Sequence, residues 1–181
     1  MTDAKYEIHD HLNNPPDLSK IKSLDERKHE LRDYLNATRE PLLTLIASFQ
    51  PEDWDRKVQG DDGQWSVKQV LLHLATSETG QTGTAKAIIE GKPTVPDDFD
   101  LNRYNNRQVE RIAAKTPPEI LFGMAESRQK LLALLNELTE ADMAKRGKHA
   151  RGDVLTLEQL FYRIGEHEAD HTVLIKQALG K

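Results

Sequence analysis

Residues 155–180 read LTLEQLFYRIGEHEADHTVLIKQALG, and the fold is decided by this stretch. Thr156 and Gln159 have the spacing of a capping box, in which each side chain satisfies an orphaned N–H of the other's backbone at a helix start. Leu155 and Leu160 flank it as a hydrophobic staple. Leu157, Leu160, Phe161, Ile164, Leu174, Ile175 and Ala178 then recur at helical spacing until Gly180 ends the run. The stretch predicts an amphipathic helix of about six turns, whose apolar stripe must be buried against other helices.

The same start signal occurs three more times, at Ser23–Glu26, Ser66–Gln69 and Thr116–Glu119. Trp65 and Val70 add a second staple, and Pro117 suits a first helical position, where its missing N–H has no partner to lose. A first helix carries Leu24, Leu31, Leu35, Leu42, Leu45, Ile46 and Phe49, with a kink or break expected near Arg39–Glu40 because Pro41 follows. A second carries Val67, Val70, Leu71, Leu74, Ala85, Ile88 and Ile89, and a third Ile120, Met124, Leu131, Leu134, Leu135 and Leu138. Between them, residues 50–64, 91–100 and 141–155 are polar connectors, and 101–115 has the composition of a short helix. Neither sustained strand alternation nor an internal repeat is present. The expected fold is all-α: a four-helix bundle with a long crossover connection, in a single domain over residues 23–181, preceded by an N-terminal arm over residues 1–22.

Composition narrows the chemistry. The chain has 181 residues and no cysteine, which excludes disulfides, thiolate zinc sites, iron–sulfur clusters and a cysteine nucleophile. Its formal charge of -5 makes it a poor general nucleic-acid binder, and no nucleic-acid partner is expected. Apolar runs are too short for a membrane span or a signal peptide, so the expected location is the cytoplasm.

Of the seven histidines, His9 and His11 fall in the arm, His29 on a charged face and His149 in a basic loop. His167 and His171 stand apart. They are one turn apart on the apolar stripe, at the spacing with which a helix chelates a metal. The string His167-Glu168-Ala169-Asp170-His171 matches the zinc-protease pattern H-E-x-x-H. One protease class needs a glycine and then its third histidine at positions that Leu174 and Gln177 hold here, and only ten residues follow His171 for the other. A third ligand must come from upstream, and His73, two turns into the second helix, is the candidate. Three neutral imidazoles leave coordination positions for water or substrate.

The sequence resembles the DinB/YfiT superfamily of metal-binding four-helix bundles. The resemblance rests on Trp65-Ser66-Val67 leading to His73-Leu74-Ala75, on the pair His167 and His171, and on a middle block from Phe99-Asp100 through Asn106-Arg107-Gln108-Val109 to Leu138. It spans residues 23–179. It implies one divalent metal ion per chain on His73, His167 and His171, with zinc or nickel foremost and iron or manganese next, and it implies a homodimer. Members of the superfamily include thiol S-transferases, an isomerase that uses low-molecular-weight thiols, and proteins regarded as hydrolases. The expected activity is therefore a metal-dependent transferase joining a low-molecular-weight thiol to a small electrophile. The alternatives are a metal-dependent hydrolase and a non-catalytic, stress-associated metal-binding bundle. Glu168 is the expected proton acceptor, unless it is an ordinary surface glutamate. Asp170 and Glu166 could orient ligand imidazoles. Asn102, Tyr104, Asn105 and Arg107 could line the bundle mouth, and Arg107 or Arg163 could hold an anionic group. Open coordination positions facing a pocket favour an enzyme, and a closed shell favours a structural ion.

Overall fold

The computed structural model describes residues 22–59 and 65–181. The expected arm, with His9 and His11, lies outside the described residues save for Lys22. Four long helices form the bundle: α1 (Leu24–Ala47), α2 (Val67–Ile89), α4 (Pro117–Glu137) and α6 (Leu157–Leu179). Each opens on its expected capping box. Ser66 Oγ, for example, accepts from the Gln69 N–H, while Gln69 Oε1 accepts from the Ser66 N–H at 2.9 Å. A short helix α3 (Leu101–Arg111) and a single turn α5 (Glu140–Met143) occupy the connections.

Helix α1 lies along α6 and against α4, while α2 lies along α4 and against α6. Consecutive long helices α1 and α2 therefore sit diagonally, as do α4 and α6, so the connections after α1 and α4 cross the ends of the bundle. Those crossings hold two small antiparallel ribbons absent from the sequence reading. In one, β1 (Lys57–Val58) pairs with β2 (Trp65–Ser66); in the other, β3 (Arg146–Lys148) pairs with β4 (Val154–Thr156). Each leads straight into a helix cap, at Ser66 and at Thr156.

Of the kink or break expected near Arg39–Glu40, the break does not occur: α1 runs through Pro41. Pro41 cannot donate to the Ala37 carbonyl. Both residues are exposed, so water can satisfy that carbonyl.

The core is divided. One apolar cluster gathers Leu42, Leu45, Val70, Leu71, Leu74, Ile120, Met124 and Ile175, and the other Leu31, Leu35, Ala85, Ile88, Leu131, Leu135, Phe161 and Ile164. Between them lies a buried layer with one charge from each long helix: Arg39, Glu78, Arg128 and Glu168. Arg39 Nε donates to Glu168 at 2.6 Å and its Nη2 to Glu78 at 3.1 Å. Arg128 Nε donates to Glu78 at 2.6 Å and its Nη2 to Glu168 at 3.2 Å. Ser127 Oγ adds a bond to Glu78. Each carboxylate meets both guanidinium groups, which offsets the desolvation that burial imposes on all four. No helix among the described residues is long and apolar enough to cross a membrane.

Candidate metal centre

His73 comes from α2, six residues after its first, and His167 and His171 come from the middle of α6. The lateral contact of these two helices brings the three rings together. Nε2 of His167 stands 3.1 Å from Nε2 of His73 and 3.1 Å from Nε2 of His171. Three Nε2 atoms about 2.1 Å from one ion would stand roughly 3 to 3.4 Å apart, so the donor set fits a metal. Chemistry supports the same reading. Three nitrogen lone pairs that converge cannot all be satisfied by hydrogen bonds among themselves, since a neutral imidazole has one N–H.

Burial keeps two of the rings in their ligating form. Burial pushes His73 down to about 3, with help from His171 and Arg151. His167 also lies well below the ordinary imidazole value, by burial first and then by the charges of His171 and His73. His73 and His167 are therefore neutral at ordinary pH, as metal ligation requires. Trp65 packs on His73 with ring centroids 5.1 Å apart, and its Nε1 donates to Asn106 Oδ1 at 3.1 Å.

Glu168 is not brought to this cluster. Being next to His167 in a helix, it projects from another face, and both its oxygens accept from Arg39 and Arg128. It is buried, so it is not a surface glutamate either. Burial raises its carboxyl above the ordinary value against the pull of both arginines. Glu166 is turned to Arg163, with Oε2 accepting from Nη1 at 2.7 Å. Asp170, one turn beyond His167, has no hydrogen bond or ion pair to any described residue that the structure records, and it lines the cavity described next.

A cavity of about 350 Å³ opens beside His73 and His167. Helix α2 supplies Ser77, Gly80, Gln81 and Thr84; the 90–100 connection supplies Val95, Pro96 and Phe99. Tyr104 and Asn105 of α3 line it as expected of them, whereas Asn102 and Arg107 do not. The β3–β4 turn contributes His149 and Arg151, and α6 contributes Arg163 and Asp170.

The family model of the DinB superfamily matches residues 34–175. The chain belongs to the DinB superfamily. This DinB-superfamily chain is 23% identical over 165 residues to a protein of Oceanobacillus iheyensis named as a candidate metal-dependent hydrolase, across 91% of this chain and 90% of that one. Its fold is that of YfiT from Bacillus subtilis, described as a candidate metal-dependent hydrolase with an unusual four-helix bundle topology. The TM-score is 0.66 at 22% identity, covering 86% of this chain and 89% of that one. A mycothiol-dependent maleylpyruvate isomerase shares the fold with a TM-score of 0.67 at 14% identity, over 85% of this chain and 61% of that one.

Two features of this DinB bundle escaped the sequence reading. The charged layer leaves a trace as a gap in each apolar stripe, from Leu35 to Leu42, Leu74 to Ala85, Met124 to Leu131 and Ile164 to Leu174. His149 and Arg151 reach the cavity through the β3–β4 hairpin, whose three-residue strands are too short to give an alternation to read.

Proposed function

We propose that this protein is a metal-dependent enzyme that joins a low-molecular-weight thiol to a small electrophile. The observation that carries the reading is the cavity beside His73 and His167: a purely structural ion has no need of one. When bound, the ion would lower the pKa of a coordinated nucleophile and polarise an electrophile. His73, His167 and His171 hold it, and Trp65 braces the His73 ring. Asp170 is the carboxylate available to receive a proton in the cavity, since Glu168 is engaged by two arginines. Glu168 acts instead as a positioning residue, fixing the segment of α6 that carries His167. The 90–100 connection and the β3–β4 hairpin roof the cavity and restrict it to small molecules. We further propose that the chain works as a homodimer, on the superfamily resemblance.

A second reading, hydrolysis, is favoured by the names of the Oceanobacillus and Bacillus relatives. The test is to screen metal-loaded protein with glutathione, bacillithiol and mycothiol against a chlorobimane, and separately against small esters and amides. A metal-dependent thiol-transfer rate is expected, lowered by Asp170→Asn without loss of metal. Ester or amide hydrolysis with no thiol transfer would move the assignment to the hydrolase.

A further inference from the structure

The cavity carries two arginines to which the metal chemistry proposed above gives no role. Arg151 and Arg163 line it from two different elements. Arg163 sits one turn before His167 on α6, and the buried Glu166 holds its Nη1 at 2.7 Å. Arg151 sits in the turn of the β3–β4 hairpin and makes no ion pair with a described carboxylate that the structure records. That turn is built rather than loose. The Arg151 N–H donates to His149 Nδ1 at 3.3 Å, the His149 N–H to the Asp153 carbonyl at 2.7 Å, and the Gly152 N–H to the His149 carbonyl at 2.8 Å. Gly152 supplies the positive φ, at 100°, that the turn needs. The hairpin is tied to the opposite connection, where Thr94 Oγ1 donates to the Lys148 carbonyl at 2.8 Å and Lys148 pairs with Asp97.

The positive charge of Arg151 is felt at His73 and His167, and that of Arg163 at His167 and His149. Both arginines line the same cavity as His73 and His167. The buried Gln81, also in the wall, has an Oε1 with no hydrogen-bond partner among the described residues; its amide can turn to offer either a donor or an acceptor. Val95, Pro96 and Phe99 give another part of the wall an apolar surface.

We propose that the cavity binds a small organic oxyanion: Arg151 and Arg163 clamp a carboxylate or phosphate group beside the three-histidine cluster, and Val95, Pro96 and Phe99 cover the apolar body of the same molecule. Guanidinium groups suit this task because their fixed forks match both oxyanions. Asp170 in the same wall repels a second anionic group, so a singly anionic ligand is favoured. The proposal rests on reading the cavity as the substrate site, and it names the substrate class.

The experiment is calorimetric titration of the full chain, metal-loaded and metal-free, with benzoate, phenyl phosphate and uncharged benzamide. Benzoate or phenyl phosphate should bind at least about tenfold more tightly than benzamide, the weight of a charge-assisted hydrogen bond. The tighter of the two anions identifies the oxyanion. Arg151 is exposed, so Arg151→Ala should fold normally. It should lose about tenfold in affinity for the anion and none for benzamide. Arg151→Lys should recover part of the loss. Metal content, measured on the same samples, separates the two claims: anion binding that survives in metal-free protein and falls in Arg151→Ala upholds the clamp even if the metal reading fails. Equal binding of benzoate and benzamide would overturn it, as would anion binding that disappears with the metal and ignores Arg151→Ala.

Discussion

Gly165 stands where α6 meets α1, and its hydrogen is the largest substituent the contact accepts. A Cβ there would lie 2.4 Å from Tyr34 Cε1 and 3.3 Å from Thr38 Oγ1. Gly165→Ala gains helix propensity but overpacks the contact, and a net loss of about 1–3 kcal/mol is expected. Urea unfolding followed by circular dichroism measures it. His149 contributes to the pH dependence, beside His73 and His167, whose pKa values burial also lowers. Burial and Arg163 press the His149 pKa from 6.5 to about 4, against the opposite pull of Asp153. The unfolded chain then binds more protons between those values. This contribution to stability is complete above about pH 6.5 and is lost as pH falls towards 4, at about 1.4 kcal/mol per pKa unit. His149→Asn, whose Oδ1 stands where Nδ1 accepts the Arg151 N–H, should make the decline in urea midpoint between pH 7 and pH 5 shallower. The three clustered histidines could be read from the sequence because helical spacing fixes two of them. The partners of Glu168 could not, because Arg39, Glu78 and Arg128 come from helices whose mutual register the sequence does not state.

At the scale of elements, the charged layer is the feature most exposed to disruption. Replacing one member leaves a buried charge without its counterpart, so Arg128→Met should cost about 3–5 kcal/mol. Replacing all four by apolar residues of similar volume should cost much less, or nothing. Urea midpoints of the single and quadruple variants give the comparison. The cap of α2 is a smaller case: Ser66→Ala removes the acceptor for the Gln69 N–H and should lower stability by about 0.5–2 kcal/mol. The four long helices were legible because caps and apolar stripes are local signals, and all four capping boxes form. A break at Pro41 was not decided by the sequence, because the lost bond costs less where the freed Ala37 carbonyl faces solvent, and that exposure is set by the packing. The ribbons were not legible. Strands of two or three residues, half of them polar, are held by what they lead into rather than by their own pattern.

The whole molecule places its charged layer and its three imidazoles at neighbouring levels of one bundle. Glu168 follows His167 directly, and Glu78 stands five residues beyond His73. The lateral contact of α2 and α6 that closes the layer is thus the one that sets the histidine spacing. The expected homodimer predicts a solution mass near twice 20.6 kDa by light scattering at micromolar concentration, and a mass near 20.6 kDa would count against it. The central claim is that His73, His167 and His171 together hold one divalent ion. Elemental analysis after reloading with zinc or nickel tests it most directly, applied to the parent protein and to His73→Ala and His171→Ala, with folding checked by circular dichroism. One ion per parent chain and a marked loss in each folded variant are expected; full retention of metal by both variants would rule out the three-histidine site.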